Sequence, residues 1–122
     1  MKLRIKGDSI RFRLSKSELT AFGIVNFVKD KIHFADSELE YSIVTSDSNA
    51  EISASFQSNL ITVNVPTQLA LNWVNTEIVG LQFEQTLSNG NKLFILIEKD
   101  FVCLDNTFED QSDNFPNPNI VC

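Results

Sequence analysis

The opening run MKLRIKGDSIRFRL places Lys2, Arg4, Lys6, Arg11 and Arg13 at alternate positions on either side of a short Gly7–Asp8–Ser9 stretch. In an extended chain successive side chains point to opposite faces. Each arm therefore gathers its cations on one side and sends Leu3, Ile5, Ile10, Phe12 and Leu14 to the other. Gly and Asp accept the backbone of a tight turn, so the two arms fold back as a hairpin with five cations on one face. Guanidinium forks match phosphate and carboxylate oxygens two at a time, and the chemistry this face offers is the holding of an anion. Like charges opposite one another on neighbouring strands destabilise a sheet, so something must offset them. It is either an anionic small molecule, an acidic partner protein, or the chain's own Glu38, Glu40, Glu84 and Glu98. Lys29, Lys31 and His33 would join the face if their strand paired alongside.

A second constellation is thinner. Cys103, Cys122 and the single histidine, His33, could hold a metal with help from Asp100, Asp105 or Asp113. Zinc asks for about four ligands, and no C-x-x-C spacing is present, so a buried Cys103 and an exposed or docked Cys122 is the plainer reading. A Cys103–Cys122 disulfide would clasp the end of the chain but is disfavoured in a reducing compartment. The acidic run Asp105, Glu109, Asp110 and Asp113 has neither the order nor the glycine of a calcium loop. Hydrolytic machinery is poorly represented: there is one histidine, no G-x-S-x-G and no Gly-rich phosphate loop. A His33–Cys103 nucleophile pair stays open.

The formal charge is −6 from ten Lys/Arg and sixteen Asp/Glu, and it is unevenly spread. Six of the ten basic residues fall within the first sixteen positions, beside a single acid, Asp8. An acidic whole argues against nucleic acid as partner and leaves only a local basic patch. No stretch approaches the length of a membrane helix, and the N-terminus lacks the apolar core of a signal peptide, so a cytoplasmic protein is expected. Ten phenylalanines against one tyrosine and one tryptophan suit a packed core better than a recognition surface.

Those residues need elements to hold them. The alternation predicts a fold of α+β class, mostly β, with about eight antiparallel strands and two short helices in a single domain over 1–122. Ser15 and Glu18 form a capping box opening a helix that ends at Gly23, and Pro66 opens a second, TQLALNWVN. Sliding the chain on itself by 51 residues keeps the apolar phase: Ile5 meets Phe56, Ile10 meets Ile61, Phe12 meets Val63, and Phe22 meets Trp73. This predicts a strand–strand–helix–strand–strand unit used twice, over 1–50 and 51–100, and closing into a barrel or half-open barrel. A two-sheet sandwich with two helices is the alternative. KLFILIEK is apolar on both faces and must be covered on both, which points to residues 101–122 as a strap carrying Phe101, Phe108 and Phe115.

The two ends of the chain, MKLRIKGDSIRFRLSKSE and EKDFVCLDNTFEDQSDNFPNP with its final cysteine, resemble a small bacterial domain family of unknown function. That resemblance implies a self-contained domain and no particular activity. In architecture alone, two repeats of strands and a short helix are similar to the triphosphate-tunnel (CYTH-type) barrels. Those begin with alternating glutamates that bind metal, whereas KLRIK has cations there. The residues thus favour a non-enzymatic binding module with a basic face and no cofactor. The alternatives are a divergent metal-dependent phosphate-processing enzyme using Glu38, Glu40, Glu84 or Glu98, and a Cys/His metal protein. Oligomeric state stays open.

Overall fold

The computed structural model describes residues 1–48, 50–101 and 112–116. In chain order it runs β1 (Lys2–Lys6), β2 (Ser9–Leu14), α1 (Lys16–Val25), β3 (Phe27–His33) and β4 (Glu38–Ser46). The same order of elements follows as β5 (Ser53–Gln57), β6 (Leu60–Pro66), α2 (Thr67–Asn75), β7 (Gly80–Thr86) and β8 (Lys92–Lys99).

The strands form two four-stranded sheets, ordered β1-β2-β8-β7 and β3-β4-β6-β5. The four hairpins, β1–β2, β3–β4, β5–β6 and β7–β8, pair antiparallel. The central pairs, β2 with β8 and β4 with β6, are parallel. The expected eight strands are present, but their direction needs this correction. Turn chemistry fixes only the hairpin partners; the central pairings join strands far apart in sequence, and their direction follows from which apolar faces meet. The strands do not close into a barrel. The sheets stay separate and face each other across one core, as in the sandwich alternative. The face that would have lined a lumen is an outer surface, and the similarity to tunnel barrels loses the feature that gave it meaning.

Alternation builds that core. On β2, Ile10, Phe12 and Leu14 are buried while Ser9, Arg11 and Arg13 are not. Ile95 and Ile97 on β8, Ile43 on β4, and Val63 and Val65 on β6 supply the rest of the inner faces. Phe12 and Tyr41, on opposite sheets, bring their rings to 6.5 Å. The two helices close one end through Leu19, Phe22, Ala70 and Trp73. Helix α1 opens with the expected capping box, Ser15 N–H donating to Glu18 Oε1 at 2.9 Å while Glu18 N–H donates to Ser15 Oγ at 3.4 Å. It runs two residues past Gly23, however, and stops at Asn26, which takes the left-handed φ of 68°. Gly23 serves packing instead: a Cβ there would meet Val74 Cγ1 at 2.9 Å. Pro66 is the residue before α2 rather than its first.

The first hairpins of the two halves pair in the same register. Lys2 faces Arg13 in the first hairpin; Ser53 faces Asn64 in the second, each partner 51 residues on. Both central seams are parallel, but there the spacing shifts: Ser9 lies beside Phe94 and Leu60 beside Glu40, so the corresponding partners are 54 rather than 51 residues apart. Phe22 and Trp73, again 51 apart, stack edge to face at 6.1 Å between the helices.

Of the expected strap, Phe108 lies outside the described residues. Phe101 and Phe115 form a parallel bridge with rings 5.7 Å apart. Phe115 packs against the core with the Lys99 ammonium 5.4 Å from its ring, and Asp113 ties to the start of α1, where its Oδ2 accepts from Ser17 Oγ at 2.6 Å. Residues 112–116 therefore pack at the helix end of the core, while Phe94 on the outer face of β8 is 51% exposed.

Candidate anion-binding site

The five cations expected on one face are on one face. Following partners across the first sheet, Lys2, Arg13, Glu98 and Gly80 form one row. Arg4, Arg11, Leu96 and Gln82 form the next, and Lys6, Ser9, Phe94 and Glu84 the third. Lys2, Arg4, Arg11 and Arg13, with Leu3, line a surface cavity of about 320 Å³; Lys6 stands beyond it. Lys29, Lys31 and His33 do not join them, because β3 belongs to the other sheet. There Lys31 and His33 pair with Glu38 at 3.2 and 3.3 Å.

Two carboxylates answer the cations. Glu98, carried in by the parallel seam, presents Oε1 to Arg11 Nε at 2.7 Å and to Arg13 Nε at 3.2 Å. The Arg13 contact is a hydrogen bond; the Arg11 Nε is buried without one, so that contact is a charge pair. Asp100 Oδ2 lies 3.0 Å from Lys2 Nζ. Asp100 is almost wholly buried, and its backbone is tied on both sides: its N–H donates to Leu14 O and its carbonyl accepts from Phe115 N, each at 2.8 Å. Among the described residues Arg4 and Lys6 make no ion pair, so the site keeps a positive excess. Pairing through Nε has a geometric consequence. It fixes the two guanidinium planes while leaving their terminal N–H groups as donors for something else.

Gly80 makes room for Glu98. It faces Glu98 across the β7–β8 ladder, and any Cβ would sit 2.5 Å from Ile97 O and 3.3 Å from Glu98 Cβ. Of the acids named as counter-charges, Glu98 alone serves the basic face. Glu84 pairs with Lys92 at 2.8 Å, and Glu38 and Glu40 lie on the second sheet. Asp100 is the partner that sequence reasoning missed. The signal is in the sequence, since Phe94, Leu96, Glu98 and Asp100 continue one alternation outward from β8, but its nearness to Cys103 makes Asp100 read as a metal ligand.

Cys103 and Cys122 lie outside the described residues, as do Asp105, Glu109 and Asp110. His33 is exposed on β3. Among the described residues no three His, Cys, Asp or Glu side chains are placed to hold a metal ion. The cavity lining brings cations and one leucine, with no hydroxyl, thiol or imidazole among the described residues.

These observations define an α+β domain of two mixed sheets whose first sheet turns a cationic outer face to solvent. Its residues 1–119 match a family of unknown function, DUF7009, and the chain belongs to it. No curated protein and no solved structure matches. No helix among the described residues is long and apolar enough to cross a membrane.

Proposed function

We propose that this chain is an oxoanion-binding module whose site is the outer face of the first sheet, with Arg4, Arg11 and Arg13 as donors and Lys2 at the rim. One internal comparison carries the reading. The registers make Lys2, Arg4, Lys6, Arg11 and Arg13 the counterparts of Ser53, Ser55, Gln57, Thr62 and Asn64 in the second hairpin. The inward positions stay apolar in both: Leu3, Ile5, Ile10, Phe12 and Leu14 against Ala54, Phe56, Ile61, Val63 and Val65. The frame therefore tolerates small neutral side chains at all five outward positions, and the cations are not what folds a hairpin of this kind. A direct Arg4–Arg11 juxtaposition costs stability. An oxoanion bridging the two would turn that cost into affinity.

The coincident registers of the first hairpins also support reading the two halves as an internal duplication in which one copy acquired the site. An acidic protein surface is the other partner the sequence admits; the concavity of the site favours a small anion. Thermal-shift and calorimetric titration at low salt with phosphate, pyrophosphate, ATP and polyphosphate, with and without Mg²⁺, test the proposal. Stabilisation by anions in the wild type, lost in Arg4→Gln/Arg13→Gln, supports it. The same affinity in that variant would remove the site. Turnover that requires Mg²⁺ would replace a binding module by an enzyme.

A further inference from the structure

The outer face of β8 adds a second chemistry beside the cations. Phe94 and Leu96 point outward from a strand in the middle of its sheet, and Phe94 is half exposed. Apolar side chains on both faces of a central strand are usual where both faces are covered. Here the described part of the C-terminal segment packs at the helix end and leaves them open. The second sheet offers the control again. The positions of β4 that correspond across its parallel seam are Glu40 and Ser42, so the frame does not require an apolar strip.

The strip adjoins the cations in register. Leu96 is the neighbour of Arg11, and Phe94 that of Ser9, whose small side chain leaves the ring open on that side. Phe94 is diagonal to Arg11, a separation of roughly 7–8 Å between side-chain origins. That is about the reach of a phosphate ester with one attached ring. A second copy of this chain laid face to face on the patch would set cations against cations, so a symmetric dimer does not cover it.

Resting on the anion-site reading above, we propose that the ligand is an aromatic oxoanion. Its charged group sits between Arg4 and Arg11, and its planar body lies along β8 on Leu96 and Phe94. Stacking of a planar ring on an aromatic side chain is worth on the order of 5- to 100-fold in affinity.

The test uses matched charges. Methyl phosphate and phenyl phosphate carry the same head on different bodies, and inorganic phosphate and AMP extend the pair. Calorimetry at low salt is expected to rank phenyl phosphate above methyl phosphate, and AMP above phosphate, by at least about five-fold. Phe94→Ser should bring the aromatic ligands down to the level of the others while leaving methyl phosphate within about two-fold. Leu96→Ser, which installs the residue of the second sheet, should lower the same preference and guards against a folding artefact in the first variant. Equal binding of aromatic and aliphatic phosphates in the wild type overturns the inference and leaves the anion site standing. Absence of binding by all four overturns both. Binding to vesicles containing anionic phospholipid, dependent on Phe94 and without affinity for the soluble ligands, would assign the strip to a membrane surface and also overturn it.

Discussion

Arg4→Ser should strengthen the fold and weaken the function at once. Arg4 lies directly opposite Arg11 and makes no ion pair among the described residues, while its counterpart in the second hairpin is Ser55. Two unit charges near 7 Å apart in a water-like dielectric repel by about 0.6 kcal/mol. Cross-strand charge pairs fall in the same range, roughly 0.2–1 kcal/mol. Losing the packing of the arginine stem subtracts a few tenths. The variant should therefore gain about 0.3–0.8 kcal/mol at 10 mM salt, or about 1–4 °C in Tm for a chain of this size. In 1 M salt the screening length drops from about 30 Å to about 3 Å, and the gain should vanish. Phosphate affinity should move the other way, by about 10- to 100-fold, the worth of a charge-assisted hydrogen bond. Urea unfolding at both salt concentrations and calorimetric titration with phosphate measure the two effects. A loss of 1 kcal/mol or more at low salt would mean that Arg4 holds the fold, and the comparison between hairpins would collapse with it.

Other consequences are local. Gly80→Ala forces a Cβ to within 2.5 Å of Ile97 O, so urea unfolding should show a loss of about 1–3 kcal/mol, and the displaced Glu98 should release Arg11 and Arg13, changing phosphate affinity even though Gly80 touches no ligand. Trp73→Ala opens the interface between the helices and removes one of two donors to Val79 O, the Trp73 Nε1 bond at 3.2 Å, leaving the Lys99 N–H at 2.9 Å; a cost of about 3–5 kcal/mol, set by the cavity, is expected by chemical denaturation. Hydrogen bonds from Ser17 and then Ser15 hold the Asp113 carboxyl below its ordinary value of 3.8. The tie to α1 is thus complete above pH 3.8 and is lost as pH falls through the lowered folded value. Carboxyl NMR titration should place the midpoint below 3.8 in the wild type and nearer 3.8 in Ser17→Ala.

What the sequence reveals and what it hides divide along the range of the interactions. Period two in KLRIK and IRFRL sorts residues to two faces, and the coordinates keep that sorting because slipping by one residue would bury Arg11 and Arg13 in the core. The capping box at Ser15 is equally local and equally readable. Strand partnership across the sheets is not local. Nothing in the hairpin MKLRIKGDSIRFRL says that β8 rather than β3 lies beside it, and this choice decides that Glu98 joins the arginines while Lys29, Lys31 and His33 do not. Gly23 shows the limit of local rules in another way. A glycine after an apolar run reads as a helix end, yet here it admits Val74 from the other helix, and Asn26 takes over the left-handed turn. The apolar outward face of KLFILIEK was visible in the sequence. The exposure of Phe94 on that face was not, since the described residues 112–116 pack at the helix end.

The cations and carboxylates of the proposed site meet because each sheet draws strands from both halves of the chain. The first half contributes β1 and β2 to the first sheet and the second half contributes β7 and β8, in a seam that sets Arg13 beside Glu98. Cations and turn come from one half; the carboxylates that orient them and the apolar strip come from the other. A lone copy of either unit would carry a charged hairpin without counter-charges, or an apolar strip without donors. Exchange of strands between two similar units lets each sheet combine two unlike hairpins. The first sheet carries cations on its outer face, whereas the second has Ser, Thr, Asn and Gln at the corresponding positions. A ligand on that outer face would also leave the core untouched, since every residue of the shared apolar cluster points the other way.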